Sequence, residues 1–168
     1  VYWKKAYEIP EGNKTSKGRA IQNLINIEPG DTVRAIITIK NLTDEDYINN
    51  NYVILCTENG IIKKTSLEAY SRPRQGGITA ITINDGDRLL NASLTNGNNH
   101  IIIAKSEGKA VHFHESDVRP MGRTAAGVRA VTLESDDEKV IGMVCISRED
   151  ANLLVVSENG YGKRSVIE

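Results

Sequence analysis

Residues 51–67, NYVILCTENGIIKKTSL, contain the pattern from which the fold of this chain can be predicted. An apolar run ends at Asn59-Gly60, and a second run that carries Lys63 and Lys64 follows it. Asn-Gly favours the positive φ angles of a type I′ turn, and the twist of that turn matches two antiparallel strands. The stretch therefore predicts a β-hairpin whose second strand carries basic residues.

The hairpin signal recurs twice in the same setting, at residues 106–108 (SEG) and 158–160 (ENG). Its glycines lie 48 and then 52 positions apart. Two other markers keep the same phase, namely a glycine-containing segment that opens a strand and an acidic turn that precedes one. These markers are residues 17–21, 76–80 and 126–130, and residues 29–33, 85–89 and 136–140. Each unit thus predicts two strands joined by a glycine turn, then a basic loop, then two strands joined by an acidic turn. Four strands that recur about every 50 residues are typical of propeller blades.

The composition also predicts an all-β protein. Ile and Val number 32 against 22 for Leu and Ala, and β-branched side chains suit pleated surfaces. No segment carries an apolar stripe of helical period over three turns, so we expect about ten strands bounded by turn residues. The predicted strands are residues 34–39, 51–57, 61–67, 78–83, 89–95, 100–106, 109–114, 128–133, 140–147 and 152–157.

The repeats divide the chain into approximate units at residues 1–50, 51–98 and 99–150, with an incomplete unit at residues 151–168. Since the chain starts and stops inside a unit, we expect it to be part of a larger domain. Residues 41–51 (NLTDEDYINNN) are predicted to be a polar loop inserted between repeats. The apolar runs around Cys56 and Cys145 predict reduced core cysteines in a cytoplasmic protein.

The near-neutral charge of the chain hides a periodic pattern. Lys and Arg number 21 against 22 Asp and Glu, a net charge of −1, which argues against a polybasic tail or a histone-like protein. No apolar run approaches the roughly 18 residues that cross a bilayer. The net charge is positive over residues 1–24, 61–83, 105–133 and 161–168 and negative over residues 25–60, 84–104 and 134–160. Its sign therefore alternates in register with the repeat.

The basic segments are predicted to merge into one positive band, because equivalent elements of successive blades lie at the same radius and height. Such a band suits a polyanion with regular charge spacing, such as DNA. The alternative is that the charges are ordinary solvated loop residues. The candidate DNA-binding residues are Lys4, Lys5, Lys14, Lys17, Arg19, Lys63, Lys64, Arg72, Arg74, Lys109, Arg119, Arg123, Arg129, Lys163 and Arg164.

Two loops of the band place an Arg-Pro step at similar positions, Arg72-Pro73 and Arg119-Pro120. Proline stiffens a loop, and nearby glycines let backbone N–H groups approach a phosphate closely. With one Phe and one Trp in the chain, stacking on single-stranded bases is disfavoured. No zinc motif or basic zipper presents a recognition helix. Contact with the DNA backbone, with little sequence readout, is therefore the consistent interpretation.

The chain resembles the C-terminal domains of the A subunits of bacterial DNA gyrases, which are type IIA topoisomerases. The resemblance rests on residues 4–33, 58–72, 85–98, 106–133 and 158–165. It implies a β-pinwheel, a propeller variant of four-stranded antiparallel blades that exchange strands, of which residues 1–168 form part. The family's box heptapeptide QRRGGKG is absent, and the nearest match is the degenerate RPRQGG at residues 72–77.

The resemblance implies that DNA wraps around a basic outer rim and that the wrap supports ATP-dependent negative supercoiling. It further implies a gyrase B subunit and a second gyrase A subunit as partners in a heterotetramer. ATP and Mg would bind on other domains, this part would need no cofactor, and the protein would be cytoplasmic and nucleoid-associated, without membrane contact. Two alternatives are the equivalent domain of the topoisomerase IV A subunit and a protein-interaction scaffold that docks partners on its acidic turns. A small-molecule enzyme at a propeller centre is a third.

Catalytic and metal sites have little support in the sequence. The family's cleavage tyrosine lies in another domain, and no Walker-type phosphate loop occurs. His112 and His114 alternate on one strand face but lack a third ligand with suitable spacing, so no metal site is predicted. His114, Ser116 and Asp117 are adjacent in sequence, which does not make a catalytic triad.

Overall fold

The described part of the chain, residues 1–148 and 150–167 of a computed structural model, contains nine β-strands. They are β1 (Tyr52–Thr57), β2 (Ile61–Ser66), β3 (Leu89–Thr95), β4 (His100–Lys105), β5 (Ala110–His114), β6 (Val128–Arg129), β7 (Val140–Ile146), β8 (Asn152–Val156) and β9 (Gly162–Val166). Their antiparallel sheets have the strand orders β3-β1-β2-β6 (the first sheet), β5-β4-β7 (the second) and β8-β9 (the third). The all-β prediction is confirmed.

Helical structure within the described residues is confined to short segments. These are α1 (Glu45–Asn50) and four 3-10 helices at Ala6–Glu8, Ile21–Asn23, Leu67–Tyr70 and Glu115–Asp117. None of the described helices has the length and apolar character needed to span a membrane.

Helix α1 occupies a segment that the sequence predicted to be a polar loop. The Asp44 carboxylate caps the helix by accepting a hydrogen bond from the Tyr47 backbone N–H at 3.0 Å. Two acidic residues lie in the first turn, where the helix dipole favours negative charge. Ile48 anchors the helix in the core. The loop prediction for residues 41–51 is wrong over residues 45–50, where the cap and the buried side chain stabilise a short helix.

The first sheet takes strands from two repeats. Strands β1, β2 and β3 lie within residues 51–98, whereas β6 belongs to the next repeat and pairs with β2, with Ile62 opposite Val128. Gly127 lets the two chain segments approach, since its φ is +107° and a Cβ there would lie 2.6 Å from the Ile62 carbonyl oxygen. This pairing is the strand exchange expected of a pinwheel.

The same contact occurs one repeat earlier. The Val1 amino group donates to the Ile78 carbonyl at 2.7 Å, and the Ile78 N–H donates to the Val1 carbonyl at 2.9 Å. Gly77 has a φ of +74°, and a Cβ there would lie 2.8 Å from the Val1 carbonyl oxygen. Gly77 and Gly127 therefore occupy equivalent positions, each directly against a segment of the preceding repeat.

The three predicted glycine turns join β1 to β2, β4 to β5 and β8 to β9. Gly60, Gly108 and Gly160 have φ angles of +83°, +79° and +83°, and each N–H donates to the carbonyl three residues earlier. Since no other residue type has a positive φ among the described residues, Asn59 and Asn159 do not adopt the type I′ conformation. The predicted turn type is wrong. The loops are three-residue connections whose last residue is a left-handed glycine.

Three predicted strands form few or no backbone hydrogen bonds with a neighbouring strand. Residues 34–39 and 78–83 are assigned to no strand, and only the first two residues of 128–133 form β6. Along residues 34–39, Ile37 packs on the core whereas Ile36 is 87% exposed. Buried and exposed side chains thus alternate as in a strand, but a ladder also needs an adjacent strand edge.

The apolar core lies on both faces of the first sheet. One cluster joins this sheet to the second sheet and consists of Ile54, Cys56, Ile62, Ile101, Ile103, Val118, Val131, Val140 and Met143. The other cluster, on the opposite face, consists of Ile48, Val53, Leu55, Leu67, Tyr70 and Ile81. Strand β1 is buried on both sides, which accounts for its unbroken apolar run.

Both cysteines are free thiols of the core, as predicted. Cys56 is buried, and Cys145 is half-buried against the cluster that contains Cys56. Burial raises the pKa of the Cys56 thiol to about 12 and that of Cys145 to about 11. At neutral pH both groups are therefore thiols with little nucleophilic character.

We predict that Gly127→Ala lowers the free energy of unfolding by about 1–3 kcal/mol from its backbone conformation alone, with a further loss from the clash with Ile62. Gly122→Ala is the matched control, because Gly122 lies in the same loop, has no positive φ and would place its Cβ in open space. Urea unfolding followed by circular dichroism measures both variants. Equal stability of the two variants would contradict the role given to Gly127.

Candidate nucleic-acid interface

Three segments at the same position within successive repeats form the candidate interface, and we call them the basic connections. They are residues 10–19, 71–77 and 118–129. Each follows a 3-10 helix, and each contains a glycine with positive φ near its end, at Gly18, Gly77 and Gly127. Equivalent turns and helices thus give the three connections the same position within their repeats.

Most of the predicted DNA-binding residues lie at the surface. On the basic connections the exposed ones are Lys14, Lys17, Arg19, Arg72, Arg74, Arg119 and Arg129. Elsewhere they are Lys4, Lys5, Lys109, Lys163 and Arg164. Arg123 is half-buried, and Lys63 and Lys64 are buried. An exposed cation on each connection can bind a phosphate by charge and hydrogen bonds.

Lys64 lies in the interior, so its prediction as a surface residue is wrong. Its ammonium pairs with Glu115 Oε2 at 3.1 Å and lies 4.4 Å from the centre of the Tyr52 ring. The Glu115 carboxylate also accepts from the Thr95 hydroxyl at 2.8 Å and the Asn99 backbone N–H at 2.7 Å. This network joins β2 to the 3-10 helix of the next repeat, and fully bonded groups of this kind are the condition for burying charge.

Lys63 is also buried, on the other face of β2, and its prediction as a surface residue is wrong as well. Its ammonium donates to the Ala80 carbonyl at 2.5 Å and to the Arg123 carbonyl. Burial, reinforced by the nearby charge of Arg123, lowers the pKa of Lys63 from its usual 10.5 to about 8. Both lysines are internal because packing covers the two faces of the first sheet.

Lys109 is exposed, but its ammonium already forms an ion pair with Glu134. Its ammonium bonds both carboxylate oxygens of Glu134, at 2.6 and 2.8 Å, and this hydrogen bond raises the pKa of Lys109. Glu134 belongs to the negatively charged segment 134–160, so the basic and acidic segments are in direct contact here. Lys109 is a poorer phosphate ligand than the exposed arginines of the basic connections.

The charged residues that stabilise the interior were not predicted from the amino-acid sequence. Lys105 is buried and pairs with the buried Glu138 at 2.9 Å, and it also donates to the Thr132 carbonyl at 3.1 Å. Glu138 lies in a predicted acidic turn, whereas Glu115 carries no sequence signal because Lys64 lies 51 positions away. Pairs of this kind follow only from the fold.

Hydrogen bonds place residues 78–83, which follow the second basic connection, beside the third basic connection. Thr82 Oγ1 donates to the Thr124 carbonyl at 2.7 Å, and the Thr82 N–H donates to the Ala125 carbonyl at 3.4 Å. With the bonds from Lys63, these contacts hold residues 78–83 against residues 123–125. The structure thus brings Arg123 to the junction between two repeats.

All three histidines lie together on the second sheet. His112 Nε2 is 3.0 Å from His100 Nδ1, and His114 bonds Ser116 Oγ at 2.8 Å and Asn98 Oδ1 at 3.2 Å. Among residues 1–148 and 150–167, no three histidine, cysteine or acidic side chains are arranged to hold a metal ion. The His114 ring accepts a hydrogen bond from the Ser116 backbone N–H, and His114 thereby caps the adjacent 3-10 helix.

Comparison with known proteins gives one consistent family. The sequence matches the DNA gyrase C-terminal domain, β-propeller family over residues 1–40, 51–96, 100–147 and 151–168. It is 40% identical to the DNA gyrase A subunit of Salmonella typhimurium over 168 residues, which is 100% of this chain. The chain spans 18% of the length of that relative.

Two solved structures have the same fold. The C-terminal domain of a DNA topoisomerase IV aligns with a TM-score of 0.80 and 27% identity, covering 96% of this chain and 48% of that one. A DNA gyrase A C-terminal domain aligns with a TM-score of 0.73 and 29% identity, covering 89% of this chain and 47% of that one. The pinwheel prediction is confirmed by these alignments.

We predict that Lys63 makes stability rise with pH between about 8 and 10.5. Its pKa is lower in the folded chain than in the unfolded one, so in this window the unfolded chain binds more protons and is progressively disfavoured as pH increases. Below pH 8 both states carry the proton and the contribution is constant. Urea unfolding of wild type and Lys63→Met across this pH range measures the difference, and parallel pH profiles would contradict the prediction.

Proposed function

Because the chain belongs to the DNA gyrase C-terminal domain, β-propeller family, we propose that it binds double-stranded DNA through the phosphate backbone. The observation that carries the proposal is the recurrence of exposed Lys and Arg on equivalent connections of three successive repeats. Duplex DNA presents phosphates at regular intervals, and binding them releases counterions. Since the basic connections contain no aromatic residue and no groove-reading helix, binding is without sequence specificity.

We further propose that the basic connections lie along one outer rim of a single pinwheel domain, to which residues 1–168 contribute the repeats 1–50, 51–98, 99–150 and the incomplete 151–168. DNA that follows this rim is bent. Bending a short site by 40–90° costs about 1–6 kcal/mol, which several distributed phosphate contacts offset. A basic, curved surface without base contacts is sufficient for such wrapping in principle.

The proposal for the whole protein extends beyond this chain, which spans 18% of the length of its relative. We propose a bacterial, cytoplasmic and nucleoid-associated protein that introduces negative supercoils into DNA together with a second gyrase A subunit and with gyrase B subunits. ATP and Mg bind on other domains of that heterotetramer. The chain described here contributes the DNA wrap and no cofactor site.

The equivalent domain of topoisomerase IV is the second candidate, favoured by the TM-score of 0.80 to a domain of that enzyme. The 40% identity to a gyrase A subunit favours gyrase. The full-length protein, combined with its B subunit, ATP and relaxed circular DNA, decides between them. We expect negatively supercoiled product, and its absence at saturating enzyme would favour the topoisomerase IV assignment.

We predict that replacing Arg72 and Arg74 together by Ala weakens binding of a random-sequence duplex and reduces the slope of log affinity against log salt by about 1.8, since each phosphate that is no longer neutralised accounts for about 0.9. Fluorescence anisotropy at several salt concentrations measures both quantities. Lys40→Ala with Arg88→Ala is the matched control, because both residues are exposed, lie outside the basic connections and remove the same charge.

If the two double variants lose affinity equally, net charge rather than the basic connection attracts DNA. If wild type shows no salt-dependent binding, the DNA proposal fails and the protein-interaction scaffold is favoured instead.

A further inference from the structure

Two cations meet at the junction of residues 78–83 and the third basic connection, and no carboxylate among the described residues pairs with them. Lys63 is fully buried and Arg123 is half-buried. None of the ion pairs within the described part of the chain includes either residue. This contrasts with Lys64 and Lys105, the other buried lysines, each of which has a buried glutamate partner.

The backbone of Arg123 is rigidly held. Its carbonyl accepts from the Lys63 ammonium, whose second bond goes to the Ala80 carbonyl. The carbonyl of the following residue, Thr124, accepts from the Thr82 hydroxyl at 2.7 Å. The position of the Arg123 Cα is thus set from two neighbouring segments.

The side chain of Arg123 has an unused donor. Its Nε is buried and makes no hydrogen bond to any described residue. A buried donor without an acceptor is unfavourable, and two cations in one partly enclosed site favour an anion beside them. The planar guanidinium matches the oxygens of a phosphate through two parallel hydrogen bonds, which its two terminal Nη groups can donate while Nε stays buried.

We propose that Arg123 binds one phosphodiester oxyanion of duplex DNA at this junction. Lys63 is a positioning residue, because its ammonium donates a hydrogen bond to the Arg123 carbonyl. The proposal rests on the proposed function of DNA binding. It distinguishes Arg123 from the exposed Arg72 and Arg74, which must order their side chains when DNA binds. The half-buried side chain of Arg123 has less rotational freedom to lose, so it binds at a lower entropic cost.

Salt-dependent titration of a random-sequence duplex with Arg123→Gln tests the site. We expect about a tenfold loss of affinity, as for a hydrogen bond to a charged group, and a salt slope reduced by about 0.9. Arg88→Gln is the matched control, since Arg88 is exposed and lies in an acidic turn, and we expect a loss below about twofold.

Equal behaviour of the two variants, with wild type still binding steeply, would overturn the Arg123 site and leave the proposed function intact. No salt-dependent binding by wild type would overturn both.

The positioning role is tested by a double-mutant cycle. If Lys63 acts through Arg123, Lys63→Met weakens duplex binding in the wild-type background but has no further effect in the Arg123→Gln background. Additive losses would overturn the positioning role, because a general effect on stability acts in both backgrounds. Arg123→Gln by itself still tests the anion site if Lys63→Met does not fold.

The source of the phosphate is tested on the Arg Nε–H signals of the ¹H–¹⁵N spectrum. The signal absent from Arg123→Gln should shift saturably with duplex, and inorganic phosphate at the same phosphate concentration should shift it much less. Saturation by inorganic phosphate with no response to duplex would overturn DNA as the ligand.

Discussion

Closure of strand β2 by the following repeat is the interaction that organises this structure. The outer edge of β2 pairs with β6, and its buried Lys64 pairs with Glu115, so both partners come from residues 99–150. Unpaired, this edge would expose backbone donors and acceptors, and the lysine would carry an uncompensated buried charge. The sheet of residues 51–98 is therefore completed by the following repeat, which couples the stability of these two repeats.

Strand exchange also determines which basic residues are free to bind. Lys63 and Lys64 point to opposite faces of one strand, and both faces are covered, so both residues contribute to the interior. The connection that delivers β6 must run over the surface to reach the neighbouring repeat. Its exposed arginines, Arg119 and Arg129, and those of the preceding connection are consequently available to a polyanion.

Local patterns predicted the local structure well. The three hairpins formed where glycine follows an apolar run, because a left-handed residue is required to close each loop. The turn type differed, since Asn59 and Asn159 keep negative φ angles and glycine alone adopts the left-handed conformation. Residues 34–39 and 78–83 have strand-like alternation but no ladder, because pairing depends on a neighbour that periodicity does not reveal.

The repeat, the all-β class and the family could all be predicted from the amino-acid sequence, because turn glycines and apolar alternation act over a few residues. The same local reasoning placed most of the exposed cations on equivalent connections. Packing in three dimensions was needed to show that Lys63 and Lys64 are internal, that Glu134 occupies Lys109, and that Arg123 lies enclosed at a junction. Whether a charge is solvated depends on contacts between residues that lie 17–60 positions apart in the sequence, and no local pattern encodes those contacts.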